Sequence, residues 1–490
     1  MTSLPDKVRN QAFINGKFVD AEDGSEFDNF NPATGKLLIK VAACSARDVD
    51  AAVSAARAAF EAGTWSRIEP RERKKVLLRF AALVEANGKE IALLDSVDAG
   101  KPIADCENLD VPDVVNNIRW YAEAIDKVFG KISPTGEGNL GLIVREPVGV
   151  AGMVLPWNFP AGTLSWKIAP ALAAGNSIVV KPAELAPLSS LRIAELAFEA
   201  GIPAGVFNVV PGLGHIAGKA LGLHPDVDVI SFTGSTEIGR QFLRYSADSN
   251  LKKVVLECGG KSPQIVMADA AGNLDQIAEN LANAAFWNMG QNCTCGSRIL
   301  VQSSIKQDFV DRLVKASRSW VVGEPTDQAT KLGPLIEASA LTRVLGAVDQ
   351  ARKDGATVVS GGNQLFHETG GWFVEPTVVD DVRPDSALAR DEIFGPVVAI
   401  LPFDTEEEAI RIANAIPYGL AATVFSTDIN VAIRVARRVQ AGTVAVNGYG
   451  EGDITTPFGG YKTSGFGGYD KGLEAFDQYM QLKTIWVTLG

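Results

Sequence analysis

A chain of 490 residues is too long for one ordinary hydrophobic core and implies two or three domains. Its hydrophobic content of 46% marks a globular protein, and its formal net charge of −12 argues against a nucleic-acid surface, which needs clustered Lys and Arg. The N-terminus lacks the pattern of a secretory signal, no apolar run approaches the roughly 20 residues that span a bilayer, and five cysteines (Cys44, Cys106, Cys258, Cys293, Cys295) fit a reducing cytoplasm without a disulfide framework.

Residues 13–19 predict a hairpin turning at Asn15-Gly16. Residues 46–62 place Val49, Val53, Ala56 and Phe60 at helical spacing, and helices are expected over 71–86, 89–98 and 118–129. After a Gly- and Pro-rich stretch at 130–141 the pattern changes. Short apolar strands at 148–155, 177–180, 206–210 and 229–232 alternate with helices at 164–174, 187–201 and 214–223, which implies a parallel sheet covered by helices. A second alternating region starts near Ile265, with helices at 274–288, 304–319 and 338–354 and strands at 298–302 and 396–401. Residues 481–487 are strand-like and need a partner.

Gly212-Leu213-Gly214-His215-Ile216-Ala217 follows a predicted strand and opens a predicted helix, as a dinucleotide fingerprint does, with Asp226 or Asp228 near the spacing of a ribose partner. The same glycines also suit a tight turn with no ligand. Chemistry is concentrated elsewhere. Cys293 lies in a Gly-flanked, nearly uncharged segment, Trp287–Arg298. Glu257 stands in Leu256-Glu257-Cys258-Gly259-Gly260, and Asn158 in Pro156-Trp157-Asn158-Phe159-Pro160. A thiol nucleophile, a carboxylate base and an amide donor are the parts needed at a carbonyl carbon. Taken singly, each has a plainer explanation: a buried small hydrophobe, an ion-paired acid and a turn residue. A metal reading of Cys293-Thr294-Cys295 lacks nearby His or further Cys ligands, and no G-x-S-x-G hydrolase elbow is present.

Together these segments resemble the aldehyde dehydrogenase superfamily. The resemblance extends through Lys181-Pro182-Ala183-Glu184, Phe232–Gly239, Glu392-Ile393-Phe394-Gly395-Pro396 and Pro457–Lys462, in order from about Phe13 to Trp486. It implies an α/β fold with a Rossmann-like NAD domain (1–124 and 148–259), an α/β catalytic domain (260–460) and an oligomerisation β-arm (125–147 and 475–490). The arm would join a neighbouring subunit's sheet in a homodimer or homotetramer.

The resemblance assigns Cys293 as nucleophile, Asn158 as oxyanion donor and Glu257 as the base that activates water. Lys167 is either a participant in proton relay or a simple salt-bridge partner. For the cofactor it assigns Ser235, opening a helix near the pyrophosphate, Gly214 near the adenine, Lys181 and Glu184 around the adenine ribose, and Glu392 and Phe394 near the nicotinamide. Trp157, Thr233, Gly234, Ile238 and Gly259 complete that set. Glu184 can accept from a ribose 2′-hydroxyl and repels a 2′-phosphate, which favours NAD over NADP.

The branch most resembled oxidises aminoaldehydes such as γ-glutamyl-γ-aminobutyraldehyde, on the strength of Glu451–Phe458 and the ending Gln481–Trp486. By that resemblance Tyr449, Glu451 and Asp453 lie at the substrate entrance, Thr294 beside the nucleophile, and Phe159, Trp166, Trp287 and Phe458 form an aromatic wall. The alternative reading makes Glu451 and Asp453 solvated rim charges and the substrate a neutral aromatic or aliphatic aldehyde. Small residues at Ala161, Gly162 and Thr163 suit such a wider pocket. Two further rivals are acyl transfer to coenzyme A, disfavoured by Glu257, and a catalytically silent protein on the same scaffold. Cys258 stands where the family has Leu, Cys295 is expected to pack, and the segment Phe466–Asp470 is longer than the family pattern, leaving Asp470 without an assigned role.

Overall fold

Asn15 and Gly16 both adopt left-handed backbone, with φ of 54° and 76°, so the turn between the strands Ala12–Ile14 and Lys17–Val19 forms as the Asn-Gly pair predicts. The computed structural model describes Leu4, Pro5 and residues 7–490. The hairpin edges an eight-stranded sheet. In its centre Phe207–Val209, Ser177–Lys181, Val150–Val154, Val229–Thr233 and Lys253–Glu257 run parallel, each buried on both faces, or nearly so, beneath the flanking helices. Continuous Val, Ile and Phe runs are what such doubly covered strands require. The far edge is Gly465–Phe466, returned from late in the chain and antiparallel to Lys253–Glu257.

A second, seven-stranded sheet takes the order Thr357–Ser360, Thr377–Asp380, Val397–Phe403, Arg298–Gln302, Pro263–Val266, Ala421–Phe425 and Thr443–Val446. All its pairings are parallel except that of Thr357–Ser360 with Thr377–Asp380. Its core is built from Ile299, Leu300, Val398, Ile400 and Val424 with helices Leu274–Phe286 and Ala338–Lys353. A third sheet is antiparallel: Met480–Thr488 pairs along its length with Asn139–Pro147, which also pairs with Lys131–Ser133. The strand-like ending therefore finds its partner within its own chain. It remains an edge strand, with Leu482, Ile485 and Trp486 exposed.

Several elements differ from expectation. The helix expected at 118–129 is Val111–Ala124, which continues a wide helical turn at Cys106–Asp110 and is followed by one tighter turn. The helix expected to run through 288 stops at Phe286, because Asn288 and Met289 are left-handed (φ 52° and 58°). That break sends the chain into the segment that carries Cys293.

Candidate functional site

The carboxyl ends of the first sheet's parallel strands present Val154, Lys181, Thr233 and Glu257 to one cavity of about 1410 Å³. Ligands of open parallel sheets bind at that end. Residues just ahead of the second sheet's strands close the cavity from the other side: Cys293 before Arg298–Gln302, Phe394 before Val397–Phe403, and Leu420 before Ala421–Phe425.

Of the five free cysteines only Cys293 is part-exposed; the others are buried. Burial pushes its thiol well above the ordinary range, and the carboxylates of Glu451, Glu392 and Glu257 push it further. The thiol donates to Asn292 Oδ1 at 3.7 Å. Asn158 is anchored from three sides: its backbone carbonyl accepts from Lys101 Nζ (3.1 Å) and Asn288 Nδ2 (3.0 Å), and its own Nδ2 donates to the Gln291 carbonyl (2.9 Å). One of the two amide hydrogens on Nδ2 thus remains for a ligand oxygen. Glu257 is buried, with neither carboxylate oxygen hydrogen-bonded among the described residues. Burial raises its pKa well above the usual carboxyl value; Asp470 adds to this and Lys167 opposes it.

Lys167 does not line the cavity. Its ammonium is buried, 3.0 Å from Asp470 Oδ2 and 3.0 Å from Ser231 Oγ. This is an ion pair, and it lies close enough to shape the field at Glu257. Asp470, which sequence reasoning left without a role, is the partner. The lengthened loop that carries it is fastened by reciprocal backbone bonds between Phe458 and Asp470 (2.6 and 2.8 Å).

One arm of the cavity fits a dinucleotide. Glu184 Oε2 lies 2.6 Å from the buried Lys181 ammonium, and Gly214 N–H points at Oε1 (3.4 Å). Burial would raise the Glu184 carboxyl, but Lys181 and the Gly214 N–H hold it below the usual range. Ser235 caps the twelve-residue helix Thr236–Ala247, accepting from Ile238 N–H (3.3 Å). The free N–H groups at that helix start suit an anion. Thr233 Oγ1 is buried without a hydrogen-bond partner among the described residues. Trp157 and Phe394 meet edge to face at 5.3 Å. A Cβ on Gly259 would fall 2.1 Å from Glu392 Oε2, so the glycine is what lets Glu392 approach. Glu392 also accepts from Gly260 N–H (3.0 Å), and burial raises its pKa to about 7. It both fastens a turn and lines the cavity.

The simple fingerprint fails on geometry. Asp228 is engaged by Arg57 (2.5 Å) and Val150 N–H (2.7 Å), and neither it nor Asp226 lines the cavity. A Cβ on Gly212 would meet the Cys44 carbonyl at 2.9 Å, so this glycine serves packing, while Gly214 does reach the cavity.

The other arm carries Phe159 and Trp287 (5.3 Å) and Trp166 and Phe458 (5.2 Å). Lys471 lies over the Trp166 ring at 4.0 Å and the Phe458 ring at 5.5 Å, so an internal cation already occupies that face. Glu451 lines the cavity and accepts from the Thr294 hydroxyl; Thr294 itself is buried behind the wall. Tyr449 lines the cavity and bonds Thr294 Oγ1 (2.9 Å) and Asn292 Nδ2 (2.8 Å). Asp453 is corrected: it is exposed, outside the cavity, and caps its own loop by accepting from Thr455 N–H (2.9 Å). Cys295 is buried and donates to the Ala285 carbonyl (3.4 Å), consistent with packing.

The family model described as the aldehyde dehydrogenase family matches residues 18–485. Aminoacetaldehyde dehydrogenase of Pseudomonas aeruginosa is 52% identical over 97% of this chain and 95% of its own. The structure of γ-glutamyl-γ-aminobutyraldehyde dehydrogenase from Burkholderia cenocepacia is 51% identical with a TM-score of 0.96, covering 99% of this chain and 97% of that one. An indole-3-acetaldehyde dehydrogenase solved with NAD+ is 49% identical with a TM-score of 0.97, over the same shares. The chain belongs to the aldehyde dehydrogenase family.

It is therefore an oxidoreductase acting on aldehydes, with the aldehyde dehydrogenase α/β fold. Sequence reasoning missed several residues of this aldehyde dehydrogenase's cavity. Asp105 and Asp113 line the cavity beside these aromatic rings; Trp166 Nε1–H donates to Asp113 (2.8 Å), and burial raises Asp105 to about 6. Lys471 and Asn292 were also missed. The signal available was the acidic spacing from Asp105 to Asp113, which reads as a solvated helix face until the helix is placed. Among the described residues no helix is long and apolar enough to cross a membrane, and no group of His, Cys, Asp and Glu could hold a metal ion.

Proposed function

We propose that this aldehyde dehydrogenase oxidises aminoaldehydes to the corresponding acids, with NAD as cofactor and Cys293 as nucleophile. The observation that carries the substrate class is Glu451: its carboxylate is bonded to the hydroxyl of Thr294, the residue after Cys293, inside a cavity that Asp105 and Asp113 also line. An ammonium group a short chain away from a carbonyl can meet these acids while the carbonyl reaches the thiol. The names of the aminoacetaldehyde and γ-glutamyl-γ-aminobutyraldehyde relatives support the same reading.

The residues then divide the work. The Cys293 thiol gives its proton to cavity water, its sulfur bonds to the aldehyde carbon, and the oxygen that becomes negative is met by the remaining Asn158 N–H and the Cys293 backbone N–H. Lys181, Glu184, Ser235 and Glu392 would hold NAD, which would supply a hydride acceptor for oxidation of the thiohemiacetal to a thioester. Glu257, whose carboxylate has no hydrogen-bond partner among the described residues and whose basicity is raised by burial, takes a proton from water. The resulting hydroxide attacks the thioester, Cys293 leaves, and the acid is released. Glu184 leaves no room for a second negative charge, so NAD is preferred over NADP. The uncovered edge of Met480–Thr488 supports a homo-oligomer, dimer or tetramer, and the free cysteines support a cytoplasmic location.

Initial rates across an aldehyde panel test this. Aminoacetaldehyde, γ-aminobutyraldehyde and its γ-glutamyl derivative are compared with hexanal, benzaldehyde and indole-3-acetaldehyde. A cationic substrate should lead in kcat/KM by about tenfold, worth about 1.4 kcal/mol, and Glu451→Gln should erase the lead. A lead for neutral aldehydes would instead favour the aromatic or aliphatic reading, which the Lys471 cation on the Trp166 face supports.

A further inference from the structure

Three side chains, Thr294, Tyr449 and Asn292, join Glu451 to the catalytic thiol, and their hydrogen bonds have a direction. The Thr294 hydroxyl has one hydrogen and three acceptors within reach, Glu451 Oε1, the Tyr449 oxygen (2.9 Å) and Asn292 Oδ1 (3.1 Å). The ionised carboxylate is the stronger acceptor and takes it. The Tyr449 hydroxyl then donates to Thr294 Oγ1 (2.9 Å), and Asn292 Nδ2 donates to the Tyr449 oxygen (2.8 Å). At the other end, Asn292 Oδ1 accepts from Thr294 N–H (3.2 Å) and from the Cys293 thiol (3.7 Å). In this arrangement Asn292 holds the thiol in its protonated form.

We propose that Glu451, Thr294, Tyr449 and Asn292 form a relay by which a cationic group bound at Glu451 activates Cys293, so that an aminoaldehyde switches on its own nucleophile. When an ammonium takes over the Glu451 carboxylate, the Thr294 hydroxyl is released and turns to Asn292 Oδ1. That oxygen then loses its preference for the thiol hydrogen, which passes to cavity water. A hydrogen bond that favoured the neutral thiol is exchanged for one that does not. The inference rests on the aminoaldehyde reading above and makes Asn292, Thr294 and Tyr449 positioning residues.

The surrounding charges act in the same sense. The thiol faces Glu451 from the loop after Thr443–Val446, Glu392 from the segment before Val397–Phe403, and Glu257 from the end of its strand. The Thr294 N–H opposes them. Tyr449 faces Glu451, Cys293 and Cys295. Lys471, the cation on the facing wall, lies over Trp166 and Phe458. Of the three carboxylates acting on the thiol, Glu451 is the one that the relay ties to it.

The test is the ultraviolet thiolate absorbance of the full chain against pH, taken as the difference from Cys293→Ser. It is recorded with n-propylguanidinium chloride, whose charge persists through the high pH at which this thiol titrates, with sodium chloride at equal ionic strength, and with n-propanol. Propylguanidinium should lower the Cys293 midpoint by roughly 1 unit, the scale of one nearby charge, while propanol and sodium leave it in place. Glu451→Gln should begin at the lowered midpoint and ignore propylguanidinium. Thr294→Val keeps the carboxylate and cuts the relay, so the shift should shrink by about half or more if the hydrogen-bond switch carries it. A full shift in Thr294→Val would overturn the relay. So would an unmoved wild-type midpoint at propylguanidinium concentrations that inhibit competitively against the aldehyde, and this would leave the aminoaldehyde reading intact. Absence of any competition would overturn that reading and the relay with it. The wild-type comparison needs only Cys293→Ser to fold.

Discussion

Two buried acids and one thiol set the chemistry, and at the residue scale their burial decides how the reaction responds to pH. Glu257 is raised well above the ordinary carboxyl range because its charge is desolvated and lies near Asp470. A base with a raised pKa is protonated at low pH, so the hydrolytic step should be weak in acid and climb as pH rises through the raised value. A pH profile of steady-state turnover whose acid limb sits at the ordinary carboxyl value would contradict this. Lys167 and Asp470 share a buried ion pair, with side chains 0% and 1% exposed. Lys167→Met strands the Asp470 charge, and removing one partner of such a pair costs about 3–5 kcal/mol. It should lower the melting temperature and, by withdrawing the cation that favours ionised Glu257, move the acid limb of that profile upward. An acid limb unmoved in a folded variant would reduce Lys167 to a structural partner.

At the scale of elements, the site is a product of strand ends and sharp turns. Lys181, Thr233 and Glu257 arrive at the cavity because they close parallel strands. The strands ending at Lys181 and Thr233 were legible because doubly buried strands are written as runs of Val, Ile and Phe, whereas Lys253–Glu257 was not predicted; Asn15-Gly16 announced its hairpin. The strands Thr377–Asp380, Ala421–Phe425 and Thr443–Val446 were not found. They are four or five residues long, and periodicity over so few positions separates strand from helix poorly. The helix Ile429–Arg438 was also missed; it buries only Ala432 and Val435. In the site, the segments around Asn158, Glu257 and Cys293 were readable, whereas Asp453 pointed elsewhere because loop register follows backbone turns such as Gly452 (φ 79°). The glycine of Leu256–Gly260 gives a direct prediction. Gly259→Ala puts a methyl group 2.1 Å from Glu392 Oε2, so Glu392 must move and KM for NAD should rise severalfold, about 1 kcal/mol of lost binding. An unchanged KM would remove Glu392 from the cofactor's contacts.

For the whole molecule, two sheets enclose one cavity and a third sheet leaves it. The strand Met480–Thr488 covers one edge of Asn139–Pro147 and exposes its own, with Trp486 57% accessible. A long, apolar free edge invites pairing with another chain. Changing Leu482, Ile485 and Trp486 together to Lys should leave the cavity intact and reduce the mass seen by light scattering; a mass unchanged from the parent would place the subunit contact elsewhere. The central claim, that an aldehyde is oxidised on Cys293 and released with the help of Glu257, is tested most directly by intact-mass and peptide mass spectrometry of Glu257→Gln mixed with NAD and γ-aminobutyraldehyde. The account predicts one equivalent of NADH, one acyl group on the peptide that holds Cys293, and little further turnover. Full turnover with an unmodified Cys293 peptide would contradict it.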